Sequence, residues 1–332
     1  MKHNIILIFI IPMLLFSQSN ATDGLTCAFW NVENLFDLLD DPNKNDEEFA
    51  IGGKKNVDEE IYNLKLKNMS EVLTDLNADI LGLCEVENRF VLEQLNSSYS
   101  DKNYSIVHYD SPDNRGIDVA LLYDSEKFEV LYSEAVPVVL PDNKPTRDIL
   151  YVKGITGGKT LHIFVNHWPS KYGGAEATIP LRAIAGKTLR HHVDTLLEAD
   201  PNADIVIMGD LNDEPFEPSI VEHLGADLYR NQVPSSFALT NLMTPIHDAT
   251  DKGTYMYRGK HNVIDHIIVS RGLFDNQGWT SSQADVSVLD MPKYRQQTGD
   301  YKDYPFRFWA GNNLLGGYSD HLAVMIKLYP PK

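Results

Sequence analysis

The chain has 332 residues, 43% of them hydrophobic and only two of them cysteine, enough for a large core and too few thiols for a disulfide framework. Asp and Glu number 47 against 29 for Lys and Arg, a formal charge of −18. That balance excludes nucleic-acid binding through a broad basic footprint, but not an enzyme with a local cationic or metal-bearing site.

At the amino terminus, Lys2, the apolar run Ile5–Phe16 and the ending Ser19-Asn20-Ala21 have the form of an export signal over residues 1–21. The run is shorter than the ~20 residues a bilayer span needs. The expectation is a cleaved leader, no stable membrane span, a periplasmic or extracellular destination, and one domain over residues 22–332. Apolar or alternating runs then predict strands at Leu25–Asn31, Ile80–Glu85, Val119–Tyr123, Leu161–Asn166, Ile205–Asp210, Val263–Ser270 and Leu322–Leu328. Helical spacing predicts helices over Asn63–Leu76 and, after Pro180, Leu181–Leu197. Long loops are expected at Leu39–Lys55 and Met291–Gly317, and Cys27 and Cys84 are expected to be buried thiols. The pattern suits an α/β protein with two sheets packed face to face and helices outside.

Chemistry gathers where the strands end. Asn31 and Glu33 should face one way by period-two alternation, as should Asp210 and Asn212. Glu85 emerges directly from a buried run, where an isolated carboxylate needs a cation or water. Sparse acids on separate strands suit a hard cation such as Mg²⁺, which takes oxygen ligands and keeps several waters; Mn²⁺ and Ca²⁺ are alternatives. His167 closes one strand before a loop containing Lys171, and Asp320-His321 precedes the last strand. Asp265 is the expected partner that fixes the His321 tautomer and supports its charge. His266, the next residue along that strand, should face away from the site.

The motifs Phe29-Trp30-Asn31-Val32-Glu33-Asn34, Leu83-Cys84-Glu85, Val165-Asn166-His167, Gly209-Asp210-Leu211-Asn212 with Ile264-Asp265-His266, and Ser319-Asp320-His321 resemble, in this order, the endonuclease/exonuclease/phosphatase superfamily. The resemblance implies a four-layer α/β/β/α sandwich of two mixed sheets with outer helices, as in deoxyribonuclease I. It implies Glu85 as principal metal ligand with Asn31, Glu33 and Asp320 around the ion. Asp210 and Asn212 would align or activate water, His321 with Asp265 would meet the phosphate or act as base, and His167 would assist the leaving oxygen. Arg115, Asp118, Asn166, Lys171 and Arg182 are substrate-contact candidates, Asp118 as the residue that orients His167. Cys84 departs from the family's glutamine.

The function implied is an exported, divalent-metal-dependent phosphoesterase, an endonuclease or phosphodiesterase first. A sugar-, inositol- or lipid-phosphate phosphoesterase is the alternative, and a non-catalytic binding module the second. Substrate phosphate esters, nucleic acid among them, are the expected partners, with no obligate protein partner inferred. The segment from Lys293 to Trp309 mixes cations and rings, which either stack bases or plug the sheet edge.

Overall fold

The computed structural model describes residues 24–229, 235 and 237–331, so the leader read from residues 1–21 lies outside the described residues. One sheet has the strand order Val286–Val288, Val324–Leu328, Leu25–Leu35, Ile80–Val86, Asp118–Tyr123, Ser105–His108. The other runs Glu129–Val136, Ile149–Thr156, Lys159–His167, Ile205–Asp210, Asp265–Ser270, Leu239–Asn241, Ala226–Leu228. Both are mixed: Leu25–Leu35 pairs antiparallel with Val324–Leu328 and parallel with Ile80–Val86, and Lys159–His167 runs parallel to Ile205–Asp210.

Strand alternation builds the layers. Cys27 and Phe29 face Val206, Met208, Ile163 and Val165 between the sheets, while Ala28, Trp30 and Val32 turn outward to the helices Glu59–Leu76 and Arg89–Ser98. On the second sheet Ile205 and Ile207 turn the other way, onto the helix Ala175–Ala199. The four layers expected from the sequence are thus present, and both cysteines are buried free thiols.

Two helices start earlier than their apolar spacing suggests. Asp58 accepts a bond from the Ile61 amide and caps the first at Glu59, an N-cap with Glu59 and Glu60 complementing the helix dipole. The other begins at Ala175 and runs through Pro180, because Thr178 and Arg182 are already part of its buried face. The helix Arg89–Ser98 and the edge pair Glu129–Val136 with Ile149–Thr156 lie outside the expected elements; in the outermost strand Val130, Leu131 and Tyr132 are contiguous rather than alternating, and Leu131 and Tyr132 are half exposed, so no period-two pattern marks it.

Gly82 lies between the sheets at a tight approach: a Cβ there would come within 2.8 Å of Met208 Sδ and 3.1 Å of Val165 Cγ1. Gly82→Val is expected to destabilise the protein by about 1–3 kcal/mol through overpacking. Urea denaturation measures this, and an unchanged midpoint would contradict the close approach.

A smaller core forms to one side, where Phe36, Phe49, Val57, Ile117, Phe308 and Trp309 pack together. Phe308 and Trp309 are therefore plugs. The two expected long loops meet here, with Phe36 stacked on Phe49 at 4.2 Å.

Candidate functional site

Two backbone irregularities aim the side chains at this site. The register between Leu25–Leu35 and Ile80–Val86 slips after Asn31, and that between Ile80–Val86 and Asp118–Tyr123 slips after Cys84. At these places Glu33 and Glu85 take positive φ, 54° and 62°, and Asn212 beyond the next strand takes 54°. Left-handed backbone at residues with a Cβ is uncommon and concentrates at functional sites.

Asp210 stands at the centre, almost wholly buried. Its Oδ2 accepts a bond from Asn31 Nδ2 at 3.0 Å and its Oδ1 one from the Asn212 amide at 2.9 Å. The same Oδ2 lies 3.7 Å from His167 Nε2 and 3.8 Å from His321 Nε2. His321 Nδ1 lies 2.8 Å from Asp265 Oδ2, the pair expected from the sequence. Asp210, Asp265 and His321 place one ligand-capable atom each within 4.8 Å of one another. Ser319 fixes the approach of the last strand, donating to the Asn31 carbonyl at 2.7 Å and accepting the His321 amide at 3.0 Å.

The two histidines differ in charge. Burial opposes protonation of His321, but Asp265 and Asp210 outweigh it and hold the imidazole well above the ordinary range. Burial, reinforced by Arg147, Arg115 and His321, pushes His167 well below it. Burial, with Asp265, raises the Asp210 carboxyl to about 7, against the lowering influence of His321.

Glu85 remains partly open to solvent, with Oε2 accepting the Asn34 amide at 3.1 Å and Oε1 3.9 Å from His167 Nε2. Below the acids lies buried Lys65, which donates to the Tyr318 carbonyl at 3.0 Å; burial lowers its pKa to about 8, with Glu33, Asp320 and Glu85 pulling the other way. Glu85, Asp320 and the Asn31 amide oxygen are hard donors in an acid-rich corner, a set that suits a divalent cation.

Several expected roles are changed by the geometry. Glu33, expected beside the metal, is bonded to the Phe308 amide at 2.6 Å and the Trp309 amide at 3.0 Å, because its left-handed backbone turns the carboxylate toward that loop. Asp118, expected to orient His167, instead sits 3.1 Å from His108 Nε2 and accepts the Ser111 amide at 2.8 Å. Asn166 is fully buried, donating to the Met208 carbonyl and accepting from Trp168 Nε1, so it braces the strand end rather than reaching substrate. Arg182 is also buried, 2.7 Å from Asp213 Oδ2, and is unavailable to phosphate. Lys171 and Arg115 keep partly exposed side chains beside Asp213 and Asp113.

Sequence reasoning missed Arg147, which donates to the carbonyls of His167 at 3.2 Å and Trp168 at 2.6 Å and to Asp113 at 2.9 Å. Its signal was the polar triplet Thr146-Arg147-Asp148 abutting an apolar run. Tyr255, whose ring lies 4.8 Å from that of His321, and Arg307, 2.8 Å from Asp320 Oδ2, also went unassigned.

This chain superposes on humanized D. rerio TDP2 with a TM-score of 0.58 at 16% identity, covering 92% of this chain and 98% of that one. The human Nocturnin catalytic domain gives 0.56 at 16% identity, covering 92% and 94%. An endonuclease/exonuclease/phosphatase family protein from Bacteroides thetaiotaomicron gives 0.55 at 15%, covering 92% and 94%. At these identities the likeness establishes the fold. No curated protein matches the sequence. The family model described as Endonuclease/Exonuclease/phosphatase family matches residues 26–329, and the chain belongs to that family.

Proposed function

We propose that this phosphoesterase is an exported, Mg²⁺-dependent phosphodiesterase that hydrolyses nucleic acid. The observation that carries the reading is the pair of histidines, one held protonated and one held neutral, beside one oxygen of Asp210. Hydrolysis of an ester with a poor leaving group needs one group to take a proton from water and another to give one to the departing oxygen. Asp210, with its pKa near neutrality, accepts the proton of water at Oδ2. His321, charged and fixed by Asp265, holds the proton that Nε2 can give to the departing oxygen, while neutral His167 can offer only a hydrogen bond from Nε2 to a phosphoryl oxygen. Glu85, Asp320 and Asn31 would hold the cation, which when bound stabilises charge on the phosphoryl group. D. rerio TDP2, one of the similar structures, has been solved with a single strand DNA product, which supports nucleic acid as the substrate class. The leader over residues 1–21 supports export.

The charge of −18 favours a second reading, a small phosphoester substrate, because a long polyanion is repelled by an acidic surface. Mg²⁺-dependent turnover of double-stranded DNA, single-stranded RNA and a panel of inositol and sugar phosphates separates the two. Cleavage of the small substrates alone would overturn the nuclease assignment.

The histidine pair also sets the pH profile. A raised His321 pKa means that its charge, and the stability gained from Asp265, are fully present below about 6.5 and are lost as pH rises through the higher folded value. Activity should accordingly fall on the alkaline side. Asp265→Asn removes the principal raising charge and is expected to move that limb about 1–3 pH units toward acid. A kcat–pH profile with its alkaline limb unmoved would rule out this role for the pair.

A further inference from the structure

Arg307 reaches across the open side of the acid corner. Its side chain is 43% exposed, one guanidinium nitrogen lies 2.8 Å from Asp320 Oδ2 and Nε lies 3.4 Å from Glu33 Oε1. The backbone beside it is fixed, since the Phe308 and Trp309 amides bond to Glu33 and both rings are buried in the side core. A fixed backbone therefore carries a long side chain that is partly open to solvent. A second cation of this corner, Lys65, is buried and tied to the Val32 and Tyr318 carbonyls, so it cannot follow a ligand in or out.

Asp320 is also one of the carboxylates assigned above to the divalent ion. An ion approaching Asp320 takes electron density from the oxygen that Arg307 holds and repels the guanidinium at short range. The displaced arm has a natural destination: the phosphoryl oxygens of the substrate, which a planar guanidinium can grip with two parallel bonds.

We propose that Arg307 is a substrate-phosphate ligand that rests on Asp320 until the divalent ion takes that carboxylate. The inference builds on the metal-dependent reading of the site. It implies opposite effects of one substitution. Removing the guanidinium frees Asp320 for the ion, and removes a charged contact to the substrate.

Isothermal titration of Mn²⁺ into the metal-free wild type and Arg307→Gln, with steady-state kinetics on the same preparations, tests the idea. Expected are several-fold tighter Mn²⁺ binding by the variant, and a KM at least about 10-fold higher, the loss typical of a charge-assisted hydrogen bond. Arg307→Lys, which keeps the charge without the fork, should restore only part of the KM. An unchanged KM would overturn the phosphate role, and unchanged or weaker Mn²⁺ binding would overturn the resting contact on Asp320. Failure of the parent reading would look different, because the wild type itself would bind no Mn²⁺ and turn over no phosphoester.

Discussion

Asp210→Asn is expected to lower kcat by on the order of 10²–10⁴-fold, the usual worth of a positioned general base. The substitution is nearly isosteric and keeps a partner for the Asn212 amide, so the fold should persist. It removes the capacity to accept a proton at the oxygen shared by Asn31, His167 and His321. A neutral side chain would also take from His321 one of the three acids that support its charge. Single-turnover rates at saturating Mg²⁺, with circular dichroism as control, measure the effect. Activity within threefold of wild type would show that the water is activated elsewhere.

The second large effect concerns stability. Arg182 and Asp213 form a 2.7 Å ion pair between side chains that are 1% and 3% exposed. Breaking a buried pair leaves one charge stranded, at about 3–5 kcal/mol. Arg182→Met should therefore lower the unfolding free energy by that amount, and Arg182→Met with Asp213→Asn should recover part of it. Asp213 would retain Ser219 Oγ, 2.6 Å from the same oxygen, and Lys171 beside the other, so the loss falls toward the lower end. A variant of wild-type stability but poor substrate affinity would mean that Arg182 serves phosphate after all.

The layers were legible because they depend on alternation: Cys27 against Ala28 and Ile205 against Val206 assign the sheet faces without tertiary knowledge. The His321–Asp265 pair was legible because each residue closes or opens a strand whose partners the pattern places together. What alternation cannot foresee is a break in its own rule. Glu33 should share a face with Asn31, yet one left-handed residue sends it to the Phe308 and Trp309 amides, 275 and 276 residues away in sequence. Arg182 and Asp118 were misplaced for another reason. Their partners, Asp213 and His108, are chosen by packing between segments, and a polar residue in a sequence does not announce whether it is braced inside or offered outside.

Two of the central contacts of the site join one sheet to the other. Asn31 meets Asp210 across this boundary, and His321, leading into a strand of the first sheet, meets Asp265 of the second. The first sheet supplies Asn31 and Glu85 and the second His167, Asp210 and Asp265, so the packing of one sheet on the other sets the geometry of the reacting groups. The exposed tips of the segments leaving the same strand ends, Tyr172 and Tyr257 among them, make none of these contacts. Exchanges at those tips can alter what reaches the site while the geometry between the sheets stays fixed, which leaves one scaffold open to different esters.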